Sequence, residues 1–208
     1  MPAIKAVVFD VGNILIRWDP DAILRTYFND DKDYEAFLDS TRLMWVNLEF
    51  DAGRPFRDGI GELTAAFPHY AAPLRAFDER WSEFVPHAIE DNVATLRALK
   101  KAGHTVHAIT NFAREKFDVA RARFDFLNLF DHALVSGDHN LVKPDYRIYH
   151  RFCRDVGLRP QDLIFVDDSA VNVAAAKSVG YQVFHMPYAD AAECEAFREA
   201  LRAGGFKV

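Results

Sequence analysis

Five short runs rich in β-branched and aromatic residues recur along the chain, at residues 5–9, 105–109, 132–135, 163–166 and 182–185, with helical patterns between the last four. Such alternation predicts strands joined by helical crossovers, and so a parallel α/β sheet covered on both faces. The alternation breaks once. Between the first two runs lie helix-like stretches at 21–29, 34–45, 56–67 and 74–84 and almost no strand signal. Asp19-Pro20 reads as a helix N-cap followed by proline at the first helical position, while Asp51-Ala52-Gly53 and Phe67-Pro68 punctuate the block as turns. Crossovers in α/β units are short, so a block of about 70 residues predicts an inserted helical subdomain. The expected organisation is a Rossmann-like core, residues 1–16 and 86–208, with a helical cap of residues 17–85.

Composition narrows the function classes. The chain has 208 residues, half of them hydrophobic and 18 of them Phe, which is enough to bury one substantial core. Its net charge of −6, with no Lys/Arg-rich run, recommends neither nucleic acid nor an anionic membrane as partner. No apolar stretch approaches the about 20 residues of a membrane span, and no basic-then-apolar leader opens the chain. A cytoplasmic protein, monomer or homodimer, is expected. Cys153 and Cys194 fall in helix-like segments without a CxxC context and read as reduced packing residues. The eight histidines form no pair at zinc-ligand spacing, and His104 and His107 read as packing residues beside a strand.

Polar residues gather where the strands end. Asp10 follows the first run and is itself followed by Gly12-Asn13, a tight-loop signal. Thr110-Asn111 follows the second run, Lys143-Pro144 lies beyond the loop after the third, and Asp167-Asp168 follows the fourth. In a parallel sheet all four positions open onto the carboxyl edge, where open α/β folds bind their ligands. Each has a plainer reading when taken alone. An Asp or Thr-Asn at a strand end is a common turn, a lone Lys is usually solvated, and an acidic pair before a helix offsets its dipole.

The four segments, in order, are Phe9-Asp10-Val11-Gly12-Asn13-Ile14-Leu15, Ile109-Thr110-Asn111, Val142-Lys143-Pro144-Asp145 and Val166-Asp167-Asp168-Ser169, with Asn172 and Gly180 following. This ordered set resembles the haloacid dehalogenase (HAD) superfamily across essentially the whole chain, and the long insert is similar to that family's first type of helical cap. The start of the first motif and the Trp18-Asp19-Pro20 after it resemble a phosphatase branch that includes sugar-phosphate phosphatases.

The resemblance implies hydrolysis of a small phosphomonoester, with a sugar phosphate one option, through an aspartyl-phosphate on Asp10. A carboxylate attacks phosphorus only where phosphoryl charge is offset, and covalent catalysis splits the hydrolysis into two easier steps. Three carboxylates at one edge repel one another unless a cation sits among them, and a hard divalent ion with oxygen ligands means Mg²⁺. By resemblance Asp10, Asp168 and the Gly12 carbonyl are its ligands, while Asp167 orients a metal-bound water. Thr110 and Asn111 offer donors to a phosphate oxygen and Lys143 a compact positive charge, with Thr110 and Lys143 joining Asp10 in catalysis. Asn172 is expected to hold the fourth loop.

Most phosphatases of this superfamily carry a second Asp two residues after the nucleophile, as general acid and base. Gly12 stands there instead. Either the leaving group is intrinsically good, as an anomeric sugar phosphate would be, or Asp19 or a cap residue reaches in, or turnover is slow. Two further readings therefore stand beside phosphatase: a metal-independent 2-haloacid dehalogenase, and a weakly catalytic phosphate-binding or regulatory protein. The Asp167-Asp168 pair discriminates against the dehalogenase, since two extra carboxylates repel a carboxylate substrate. Substrate contacts are expected from the cap, with Arg17, Trp18, Arg42, Trp45 and Glu49 as candidates. Tyr34, Phe37, Trp45, Phe50 and Phe56 fall at spacings that suit its core.

Overall fold

The computed structural model describes residues 4–208; residues 1–3 of the expected core segment lie outside the described residues. Five strands, β1 (Ala6–Phe9), β2 (Thr105–Thr110), β3 (His132–Val135), β4 (Leu163–Asp167) and β5 (Gln182–His185), form one sheet in the order β3-β2-β1-β4-β5. Every pairing is parallel, with Phe9 opposite both Ala108 and Val166. All four residues of β1 are buried, as a central strand covered on both faces requires. Side chains alternate between the faces. Val7 and Phe9 join a cluster with Leu96, Leu99, Phe197 and Leu201, while Ala6 and Val8 pack with Ile148, Tyr149, Phe152 and Phe165.

Among the described residues, ten α-helices accompany the sheet. The insert after β1 holds α1 (Asp21–Leu24), α2 (Asp31–Thr41), α3 (Leu43–Asp51), α4 (Phe56–Ala66) and α5 (Ala71–Glu79). The rest are α6 (Glu90–Lys101), α7 (Arg114–Arg123), α8 (Tyr146–Val156), α9 (Ala170–Val179) and α10 (Ala191–Ala203). Among the described residues, no helix is long and apolar enough to cross a membrane. Cys153 and Cys194 are free thiols.

The insert departs from expectation in detail. The stretch read as one helix over 34–45 is two, because Arg42 adopts φ 49° and ψ 37° and ends α2. That turn lets Phe37 on α2 and Leu43 and Phe50 on α3 all enter the same core, a tertiary gain that local propensity does not report. The helices expected over 21–29 and 74–84 each finish in tight 3₁₀ turns, Arg25–Tyr27 and Trp81–Phe84. At the entry to α1, Asp19 Oδ1 accepts the Ala22 N–H at 3.1 Å, as its N-cap pattern predicts. Tyr34, Phe37, Phe50 and Phe56 are buried as expected, but Trp45 is 68% exposed and belongs to no core.

Insert and sheet are joined at the carboxyl edge. Ser136 Oγ, just after β3, donates to the Asp51 carbonyl at 2.5 Å and accepts the Phe112 N–H at 2.8 Å. The Phe56 N–H reaches Glu115 Oε1 at 3.0 Å, and Arg123 gathers the carbonyls of Ser82, Val85 and Pro86 at 2.6–2.8 Å. Gly53 makes the close approach possible. Its φ is +100°, and a Cβ there would stand 2.8 Å from the Gly137 carbonyl oxygen.

Candidate active site

Three of the four strand-end segments meet at one buried ammonium. Lys143 Nζ lies 2.7 Å from Asp10 Oδ1 and 2.7 Å from Asp167 Oδ2, and its side chain is 1% exposed. Burial pushes the Lys143 ammonium down, but the charges of Asp10 and Asp167 outweigh it and hold the group above its ordinary value. Asp10 is pulled the other way. Burial, opposed by Lys143 but reinforced by Asp167 and Asp168, pushes its carboxyl up to about 7. The Val11 N–H also falls on Oδ1 of Asp10, at 2.7 Å.

Asp167 is fully buried and its oxygens are well occupied. Besides Lys143 it accepts the Ser169 N–H at 2.8 Å and the Asn172 amide at 3.1 and 3.2 Å. Asn172 thus holds the fourth loop through Asp167. Asp168 is more open, and burial together with Asp167 raises its carboxyl while Asn13 opposes the rise. Asn13, which reads in the sequence only as part of a tight loop, also ties two loops together. At φ 54°, a conformation Asn tolerates, it donates to Asp168 Oδ2 at 3.2 Å and accepts the Trp18 N–H at 3.1 Å, tying the first loop to the fourth. Its place after Gly12 was the available signal.

The second loop divides its labour. Thr110 is buried and its hydroxyl has no partner, an orphaned group at the carboxyl edge. Asn111 ties its amide to the chain: Oδ1 accepts the Lys143 N–H at 2.7 Å and Nδ2 donates one hydrogen to the Lys143 carbonyl at 3.0 Å, while the residue also lines the cavity. Its side chain braces the charged residue.

Asp10, Asp167 and Asp168 each offer a carboxylate oxygen within 4.8 Å of one another. Three carboxylates against one ammonium, all hard oxygen donors and one of them held back from ionising by burial and, secondarily, by the other two, fit a divalent cation. A cavity of about 170 Å³ opens beside them. Asp10, Gly12, Asn13, Asn111 and Asp168 form its floor, and Trp18, Asn47, Asp51, Phe56, Trp81 and Phe112 are among its walls. Of the substrate-contact candidates only Trp18 lines it. Arg17, Arg42, Trp45 and Glu49 are exposed away from it, Glu49 paired with Arg54. In the sequence Asp51 reads only as a turn residue and Phe56 only as a packing residue, and Trp81 carries no signal of its own, because nothing local announces which side of a helix meets a distant strand edge.

A family model described as haloacid dehalogenase-like hydrolase matches residues 4–180. The chain belongs to that family. This HAD-like hydrolase is 29% identical over 192 residues to the sesquiterpene phosphatase astK of Aspergillus oryzae, covering 88% of this chain and 89% of that protein. It is 31% identical to (S)-2-haloacid dehalogenase 4A of Burkholderia cepacia, but over 94 residues, 45% of this chain and 41% of the relative. Among solved structures, a HAD family enzyme of Bacteroides thetaiotaomicron in its magnesium complex shares the fold with a TM-score of 0.75 at 18% identity, covering 94% of this chain and 99% of that one.

Proposed function

We propose that this hydrolase is a Mg²⁺-dependent phosphatase acting on a small phosphomonoester through an aspartyl-phosphate on Asp10. The observation that carries the reading is the Asp167-Asp168 pair set beside Asp10 around Lys143. Those carboxylates have a use where a divalent ion binds, and they repel the carboxylate of a haloacid. The likeness to a phosphatase along nearly the full length of both chains, and the magnesium bound by a protein of the same fold, support it.

Asp10, Asp168 and the Gly12 carbonyl would hold the ion, which would supply charge to the phosphoryl oxygens. Lys143 neutralises Asp10 and Asp167 and keeps the nucleophile in place. The free hydroxyl of Thr110 is the donor available to a phosphoryl oxygen, at no cost of a broken internal bond. Asp167, clamped by Asn172 and Ser169, fixes where Lys143 stands. Residues 17–85 act as the cap that selects the leaving group and excludes water.

The cavity walls narrow the substrate. Trp18, Phe56, Trp81 and Phe112 present aromatic surface to it, against which an apolar body would pack. A leaving group with an apolar body fits better than a free sugar, in line with the terpenoid substrate named for the Aspergillus relative. The volume is below the roughly 300–1,000 Å³ of pockets that enclose drug-sized ligands, so a large leaving group would extend out of it. Purified protein should hydrolyse p-nitrophenyl phosphate with Mg²⁺, lose that activity in EDTA and regain it with added Mg²⁺. It should also prefer hexyl or prenyl phosphate to glucose 1- and 6-phosphates. Halide release from 2-chloropropionate without metal would overturn the reading.

A further inference from the structure

We infer that Asp51, at the end of α3, is the proton donor to the leaving oxygen and then the base for the attacking water, a role that rests on the phosphatase reading above. The titratable side chains lining the cavity are Asp10, Asp51, Lys116 and Asp168. Asp10 is the nucleophile, and Asp168 belongs to the carboxylate cluster suited to the ion. Lys116 is committed elsewhere, its ammonium bonded to the carbonyl and carboxylate of Asp78. Gly12 has no side chain to offer. Asp51 is the carboxyl that remains.

Its placement is built. Asn47, one turn earlier on α3, donates to Asp51 Oδ2 at 3.2 Å. The Asp51 carbonyl is the acceptor of Ser136 Oγ, and Ser136 in turn holds the Phe112 N–H, so this residue of the insert is referenced to the ends of β2 and β3. The close approach at Gly53, two residues on, leaves that junction no slack. Burial pushes the Asp51 carboxyl up to about 7, against the pull of the Ala113 N–H and the Lys143 charge, which suits a group that must give and take a proton at neutral pH.

In the first step an Asp10 oxygen bonds to phosphorus as the bond from phosphorus to the ester oxygen breaks. The departing oxygen keeps that electron pair and takes the Asp51 proton, leaving an alcohol and an Asp51 carboxylate. In the second step water bonds to phosphorus and gives its proton to Asp51. The bond from phosphorus to the Asp10 oxygen breaks with its electrons returning to Asp10, and inorganic phosphate leaves.

The test compares hexyl phosphate, whose alkoxide needs a proton, with p-nitrophenyl phosphate, whose phenolate does not, in wild type and Asp51→Asn with Mg²⁺. Steady-state turnover of hexyl phosphate should fall by about 10²–10⁴ in the variant. p-Nitrophenyl phosphate should still give a burst of one phenolate per site, followed by slow turnover. Asp51→Ser reads the same two esters independently of any steric fault of the amide. Adding Gly12→Asp, where a Cβ meets nothing within 4 Å, should return part of the hexyl phosphate turnover. Wild-type rates on hexyl phosphate in both Asp51 variants would overturn the assignment, as would loss of the burst together with turnover in both. Wild-type protein inert towards both esters would instead remove the phosphatase reading on which the assignment stands.

Discussion

Asn111 brackets the backbone of Lys143, taking its N–H at 2.7 Å and giving a proton to its carbonyl at 3.0 Å. The ammonium that neutralises Asp10 and Asp167 is therefore aimed from the strand next to β1, through a residue that touches neither carboxylate. Asn111→Ala should cost about 1–3 kcal/mol for the unpaired backbone groups, seen in chemical denaturation. It should also lower kcat about tenfold or more while leaving Mg²⁺ affinity nearly unchanged, because the ion's carboxylates are held by other residues.

Lys143→Met leaves three crowded carboxylates with no cation. The metal-free variant should lose about 3–5 kcal/mol of stability, and Mg²⁺ should recover part of it by supplying the missing charge. Lys143→Arg should fail to restore activity, since a planar guanidinium replaces a point charge whose surroundings are already closed around it. Thermal melts with and without Mg²⁺ check both.

Protons and the ion compete for Asp10. With its carboxyl pushed up to about 7 from an ordinary 3.8, the metal-free folded chain binds more protons than the unfolded chain between those values. Stability from this group is therefore present at the acid end and is lost as pH rises through that window. Mg²⁺ affinity should run oppositely, weakening up to about tenfold per unit as pH falls below 7. Calorimetric titration at several pH values reads the slope, and Asp10→Asn should flatten it.

Gly53 and Gly103 both adopt positive φ, at +100° and +81°, but a Cβ collides only at Gly53. Gly103→Ala should cost about 1–2 kcal/mol from the backbone alone. Gly53→Ala should cost more and also depress hydrolysis, because it pushes the Asp51 segment off the sheet edge. Parallel melts and initial rates separate the two effects.

Much of the core was legible because its physics is local. The apolar runs of 5–9 and 163–166 read as buried strands, and a parallel sheet brings Asp10, Lys143 and Asp167 to one edge without further information. The insert was legible as helical but not in its breaks. Arg42 carries no glycine-like signal for its left-handed turn, which is selected by burial of Phe37 and Phe50 on either side of it. Asp51 was hidden for a related reason. It reads as a turn residue in the sequence, and only the docking of α3 onto Ser136 brings it to the cavity. Asn111 was identified, but its bracing of the Lys143 backbone depended on the path of a loop 32 residues away.

The most direct measurement is acid quenching of the protein during turnover of a ³²P-labelled alkyl phosphate with Mg²⁺, followed by peptide mapping. The expected result is a hydroxylamine-labile phosphate on Asp10, absent when EDTA replaces Mg²⁺ and absent in Asp10→Asn. Turnover that continues in Asp10→Asn, or label that maps to another residue, would contradict Asp10 as the nucleophile.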